Sequence, residues 1–217
     1  MRRFLVLTLC LVFVGALAVA MLELAPPAID LRIPVHGQLA QTGVSHPVTA
    51  VLLNYRGYDT LLEIAVLLLA LLAVVTVTDD AGVTAPHAEH PVLQTLARVA
   101  APLMIVVAVY LLWAGAFRPG GAFQAGAVLA AAAVLLHLVG LLPRWRSPRL
   151  PLRIGIVAGF VVFLTVATAL LARGALLTYP PATAGILTLL IECALTLSLA
   201  LILAGLFLIL SRDEQAP

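Results

Sequence analysis

Polar positions in this chain are gathered into a few short stretches, with long apolar runs between them. Six runs have the length needed to cross a hydrocarbon core, which takes about 20 residues of helix. They are Phe4–Leu22, Thr60–Val77, Ala97–Phe117, Ala122–Leu142, Ile154–Leu171 and Ala184–Leu210. Each is expected to be helical, because an isolated strand leaves its backbone groups unpaired in lipid. A shorter apolar piece, Val48–Leu53, precedes the second run, and the sixth is long enough that it is expected to tilt or protrude. The pattern therefore predicts an all-α, polytopic membrane protein with six transmembrane helices.

Composition agrees. Of 217 residues, 63% are hydrophobic and only 10% charged, with mean hydropathy +1.16, whereas a soluble chain is about a quarter charged. A net charge of +2 is too small to imply a nucleic-acid partner. Arginine placement predicts the orientation, since positive residues are retained on the cytoplasmic side. With the N- and C-termini cytoplasmic, the inner segments hold Arg2, Arg3, Arg98, Arg144, Arg146, Arg149, Arg153 and Arg212. The outer segments then hold Arg32, Arg56, Arg118 and Arg173. The loop 79–94 dissents through Asp79, Asp80 and Glu89, but acids count little in this rule. Arg2-Arg3 and the following run also resemble a signal peptide, with Ala18-Val19-Ala20 as its cleavage site; the run exceeds a usual signal core of about 7–15 residues and reads as a retained helix.

Organisation follows from the connectors. Residues 23–47 hold Pro26, Pro27, Pro34 and Pro47 and are too polar and broken to span. Residues 81–96 read as a cytoplasmic linker dividing a two-helix unit, 1–80, from a four-helix unit, 97–217. Cys10 and Cys193 lie far apart inside apolar runs and read as small buried hydrophobes, without disulfide or metal. His87 and His90 lack the further ligands a metal site requires. No cofactor is expected.

The chemistry concentrates at two places. Asn54-Tyr55-Arg56-Gly57-Tyr58-Asp59-Thr60-Leu61-Leu62-Glu63 feeds the second apolar run. Asp59 and Glu63 are four apart and share a helix face. Two readings stand for Glu63. In one, Thr60-Leu61-Leu62-Glu63 is a capping box, with Thr60 as cap. In the other, Glu63 lies in a polar path, with Asp59 above it and Arg56 near. An acid inside a membrane helix costs about 2.5–3.5 kcal/mol on insertion scales and so usually faces a wet cavity or a partner.

The second stretch is Arg118-Pro119-Gly120-Gly121-Ala122-Phe123-Gln124-Ala125-Gly126. Pro119 sets φ, and Gly120 and Gly121 permit positive φ in a tight outer hairpin. Gly126 and its alanine neighbours form a small-residue face for close helix packing, where Gln124 can still bond a partner. Glu192 lies about eight residues into the sixth run, beyond any capping role in its own helix. It reads either as a protonated acid bonded to a neighbouring hydroxyl or carbonyl, or as an ion or proton site or a polar contact to another subunit. His137 reads as a helix–helix hydrogen bond or as a relay.

The chain has no Walker A loop, GxGxxG, HExxH or nucleophile elbow, so no soluble enzymatic site is indicated. There is no lysine and no matched pair of broken helices, against a self-contained secondary transporter.

Tyr55-Arg56-Gly57-Tyr58-Asp59-Thr60-x-x-Glu63 resembles the FRGFDTxxE segment at the C-terminal end of the large A subunit of multicomponent, Mrp-type Na⁺/H⁺ antiporters, which also occurs as a small separate subunit in membrane-bound hydrogenases. The 118–126 stretch resembles the SPGGGFQGG segment of the antiporter B subunit. The order matches a fusion of the two. Asn54, Ala122 and Ala125 depart from the family pattern, and Ala116 occupies a region where a histidine is often found. The resemblance implies a subunit, in a prokaryotic inner membrane, of an assembly related to the membrane arm of respiratory complex I. Its partners would be other membrane subunits, with Na⁺ and H⁺ as transported ions. The alternatives are a bracing role, or a place in a related hydrogenase or inorganic-carbon uptake machine.

Overall fold

The computed structural model describes residues 2–24, 30–77, 91–142 and 150–213. Among these every regular element is helical. The helices are α1 (Arg2–Leu22), α2 (Arg32–Gln38), α3 (Pro47–Ala50), α4 (Gly57–Val77), α5 (Pro91–Ala114), α6 (Ala122–Leu138), α7 (Leu150–Leu171) and α8 (Ala184–Asp213). A 3₁₀ turn, Leu39–Gln41, follows α2, and a π-helical turn, Val51–Tyr55, joins α3 to α4. Five helices are long and apolar enough to cross a membrane, namely α1, α4, α5, α7 and α8. The sixth expected span, α6, is apolar but only 17 residues long, or roughly 26 Å at 1.5 Å per residue.

Element ends shift from the sequence expectation for local reasons. The third span begins at Pro91 rather than Ala97, since proline fits a first helical turn, where its missing N–H is no loss. It stops at Ala114, where the 115–121 hairpin turns back. The fourth span ends at Leu138 instead of Leu142: Gly140 takes φ +76°, a left-handed C-terminal stop. Most of the linker 81–96, with His87 and His90, lies outside the described residues, as do Arg144, Arg146 and Arg149. Residues 91–96 belong to α5. Neither cysteine is buried as expected: Cys10 and Cys193 are exposed, on outward helix faces.

The chain forms two compact units, 1–34 and 35–217. The first contains α1, whose apolar side chains are exposed along its length. The second is a bundle with α8 at its centre, packed by α4, α6 and α7, while α5 packs chiefly on α6. Ile191, Leu195 and Leu199 of α8 are fully buried in one cluster with Phe163 of α7 and Ile64 of α4, and Ile202 in a second with Ile156 of α7 and Leu71 of α4. The outward faces of the bundle carry exposed Val66, Leu69, Leu103, Val106, Val161 and Leu197. In water such a surface would aggregate; in lipid it is the ordinary solvent-facing side of a membrane helix.

Lipid gives no hydrophobic drive for helices to associate, so the bundle depends on close van der Waals packing through small residues. At Gly126 of α6 an added Cβ would lie 2.9 Å from Leu199 Cβ of α8 and 3.2 Å from the Thr196 carbonyl. At Gly159 of α7 it would lie 2.6 Å from Ser198 Cβ. The Ser198 hydroxyl donates across the same contact to the Ile156 carbonyl. At Gly126 the α6 backbone thus reaches the α8 backbone, and at Gly159 the α7 backbone rests on the Ser198 side chain.

A strap closes one end of the bundle. The Ser45 and His46 amides donate to the Ala116 carbonyl, and the Thr49 hydroxyl to the Gly115 carbonyl, fixing the chain before α4 onto the α5–α6 hairpin. Gly43, at φ +74°, sits so close to Gly185 that a Cβ would meet its nitrogen at 2.2 Å.

Gly159→Leu is expected to overpack the α7–α8 contact by about 1–3 kcal/mol. The check is a lower thermal midpoint for the detergent-solubilised protein; an equal change at exposed Val161 should leave the midpoint unmoved.

Candidate functional site

The strap delivers the first motif to the end of the bundle where the α5–α6 hairpin, carrying the second, also lies. Helix α4 begins at Gly57, three residues before Thr60. Thr60 is therefore inside the helix, and the capping-box reading fails. Its hydroxyl donates instead, at 2.7 Å, to the Leu52 carbonyl in the π-helical turn. Such a turn widens the helix and leaves carbonyls open to side-chain partners. Arg56 and Asp59 form an ion pair on the first turn of α4. Glu63, one turn further along, makes no hydrogen bond or ion pair with any described residue. It is about 9 Å along the axis from the start of α4.

Helices α4 and α6 both pack on α8 and leave an open groove between them. Its volume is about 730 Å³, and its lining is largely apolar. Asp59, Glu63 and Gln124 are the polar residues in that lining, with Phe123 and Leu67 among the apolar ones. Four helical residues thus place Asp59 and Glu63 one above the other on the same wall.

The hairpin turn is built around Glu192. Gly121 takes φ +108° immediately before α6, a conformation costly for any residue with a side chain. A Cβ there would stand 2.9 Å from Glu192 Oε1 and 3.9 Å from Gln124 Oε1. The Ala122 amide donates to the Glu192 carboxylate. Glu192 is only 4% exposed. So although Glu192 lies deep in its own helix, it caps the start of another. The first amides of α6 have no partners within α6, and an acid is the natural group to satisfy one. Gly120 serves closeness rather than positive φ: a Cβ would come within 2.5 Å of the Leu111 carbonyl. Pro119 is exposed on the outer turn, and Gly126 is buried against α8.

A small cavity of about 50 Å³ lies beside Glu192. Thr49, Thr60 and Gln124 reach it from the strap, α4 and α6. On α8, Thr188, Glu192 and Thr196 recur every four residues as one buried stripe. Thr196 donates to the Glu192 carbonyl at 2.8 Å. The Thr188 and Tyr179 hydroxyls are buried without a hydrogen-bond partner among the described residues. Burial pushes the Tyr179 phenol, in the α7–α8 loop, well above its usual range.

Of the residues singled out in the sequence, Arg56, Asp59, Glu63, Gln124 and Glu192 lie together at this end with the glycine turn. His137 does not join them. It occupies the last turn of α6, about 22 Å along the helix from Ala122. Thr49 and Thr188 carry no signal in the sequence, because an isolated threonine in an apolar run has no telling spacing.

The apolar helices, the small-residue packing and the lipid-facing surface define a multi-pass helical membrane protein. Residues 92–211 match the family described as "Domain related to MnhB subunit of Na+/H+ antiporter", more than half of the chain, and the chain belongs to that family. Two solved structures share its fold. One is a chain of the Mrp complex from Dietzia sp. DQ12-45-1b, with a TM-score of 0.72, 24% identity, and coverage of 100% of this chain and 26% of that one. The chain thus spans about a quarter of that longer polypeptide. The other belongs to the membrane-bound sulfane sulfur reductase, an archaeal respiratory membrane complex, with a TM-score of 0.71, 23% identity, and coverage of 94% and 97%. Both are multi-subunit membrane complexes. No curated protein matches.

Gly121→Ala should destabilise the protein by about 1–3 kcal/mol through its backbone conformation and the encounter with Glu192. In an E192A background the same change should cost less, because the encounter is gone and only the backbone term remains. Thermal midpoints of the four proteins in the cycle check this. Arg56→Ala, at an exposed ion pair, should lower stability by less than about 1 kcal/mol.

Proposed function

We propose that this protein is a membrane subunit of a multi-subunit cation/proton antiporter-type complex, and that the α4–α6 groove forms part of its ion or proton path. The observation that carries the reading is Glu63, an unpaired, exposed acid on the largely apolar wall of an open groove between two membrane helices. An ionisable group in that position calls for a wet path or a partner chain. Family membership and the fold shared with subunits of two membrane complexes support the assignment.

In this reading Glu63 is the carboxylate that takes and releases the proton or cation. Arg56 pairs with Asp59 and holds it at the mouth of the groove, so the uncompensated negative charge that attracts cations there is that of Glu63. Gln124 offers an amide on the opposite wall. Neighbouring membrane subunits cover the groove, Na⁺ and H⁺ are the exchanged ions, and lipid surrounds the remaining apolar faces. The complex resides in a prokaryotic cytoplasmic membrane with both termini of this chain inside. Residues 1–80 and 97–217 descend from an A-type segment and a B-type subunit joined end to end. A purely bracing role, in this or a related complex I-like machine, is favoured by the extent of exposed apolar helix face.

Glu63→Gln separates the two. In the assembled complex, within inverted vesicles, it should reduce Na⁺-driven proton movement by about tenfold or more while subunit composition stays unchanged. Unaltered exchange in a correctly assembled Glu63→Gln complex would leave only the bracing role.

A further inference from the structure

The groove and the small cavity beside Glu192 are neighbours. Leu52, Phe123 and Gln124 line both, so three side chains form the wall between Glu63 and Glu192. The cavity, at about 50 Å³, exceeds the roughly 10–15 Å³ one water requires. It also offers the polar partners a water needs, in Thr49, Thr60, Gln124 and Glu192. Glu192 is the one titratable side chain in that lining, and Cys193 is its neighbour on α8, while Asp59 and Glu63 face the groove side of the wall. Capping α6 needs an acceptor, which a glutamine also supplies to the Ala122 amide; the negative charge adds less at a helix start than an acid costs in a membrane helix. An ionisable group in a membrane interior, in contact with a water-sized cavity that abuts a second acid, exceeds what the cap requires.

We infer that Glu192 is an inner proton-holding station, reached from Glu63 through water in this cavity and across the Leu52–Phe123–Gln124 wall. This rests on the groove being part of a proton path and adds a second station to it. The transfer balances simply. A proton leaves the Glu63 carboxyl, passes along water, and arrives on a Glu192 oxygen, so that Glu63 becomes a carboxylate and Glu192 an acid. The Ala122 amide keeps an acceptor in both states, because the carbonyl oxygen of the acid still receives it. The α6 turn therefore holds while the proton comes and goes. Gln124 is the positioning residue. Its amide sits on the wall, able to bond water on either side, and a swing of it and of Phe123 joins the two spaces.

The test uses the assembled complex with Glu192→Gln, Glu63→Gln and Gln124→Leu. Glu192→Gln should keep the subunit composition and thermal midpoint, since its amide oxygen still accepts from Ala122, yet lose proton-coupled exchange by about tenfold or more. Labelling supplies a readout that a structural role would not move. Hydroxyl radicals, small enough for a water-sized cavity, should modify Glu192 in the unsubstituted complex, read by peptide mass spectrometry. Gln124→Leu should abolish that labelling while Glu63 is still labelled. Normal exchange in Glu192→Gln beside lost exchange in Glu63→Gln would overturn the inner station and leave the groove reading standing. Lost exchange in Glu192→Gln beside normal exchange in Glu63→Gln would overturn both. Should Glu192→Gln fail to assemble, the labelling decides: no modification at Glu192, or modification indifferent to Gln124→Leu, overturns the proposal.

Discussion

The contact on which this bundle depends is the approach of α6 to α8. It has two parts. Along its length, Gly126 lets the α6 backbone rest on Leu199 and the Thr196 carbonyl. At its hairpin end, Glu192 receives the first amide of α6 beneath Gly121. In lipid the first part supplies attraction, because close contact is what distinguishes a neighbouring helix from hydrocarbon tails. The second removes a penalty, since an unpaired helix-terminal N–H has no water to turn to. Together they fix the depth of α6 relative to α8, and with it the position of Phe123 and Gln124.

That position creates the groove. Helix α4 docks on a different side of α8, through Ile64 and Leu61 against the shared core. Its other face, bearing Asp59 and Glu63, is left looking across a gap toward Gln124. The strap from Thr42 to Arg56 tethers the start of α4 to the α5–α6 hairpin by hydrogen bonds to two adjacent carbonyls, at Gly115 and Ala116. The two motifs therefore meet because one piece of backbone ties their leading ends together. A shared wall of three side chains is the consequence.

The glycines of the hairpin show how one short stretch meets several demands. Gly121 is required by its positive φ and by the acid beside it. Gly120 is required by the Leu111 carbonyl, with no unusual φ. Gly126 is required by the neighbouring helix. Substituting any one disturbs a different contact, so the stretch tolerates little change even though most of its length touches no charged group.

Much of the architecture could be read from the chain alone. Long apolar runs can only be helices in lipid, and their lengths count the spans, because hydropathy and backbone satisfaction are local properties. The pairing of Asp59 with Glu63 on one face was equally legible, since four residues bring side chains to the same side of any helix. The start of α4 was not. Thr60 resembles a cap in sequence, but the strap extends the helix back to Gly57, and its hydroxyl goes to Leu52. Nor could the sequence assign Glu192 its partner. Within α8 it has no terminus to cap; only the packing of α8 against α6, seventy residues away in the chain, sets a free amide before it. Helix formation obeys neighbours in sequence, whereas the groove, the cavity and the acid that links them are products of which helices touch, and that is decided by contacts no local pattern records.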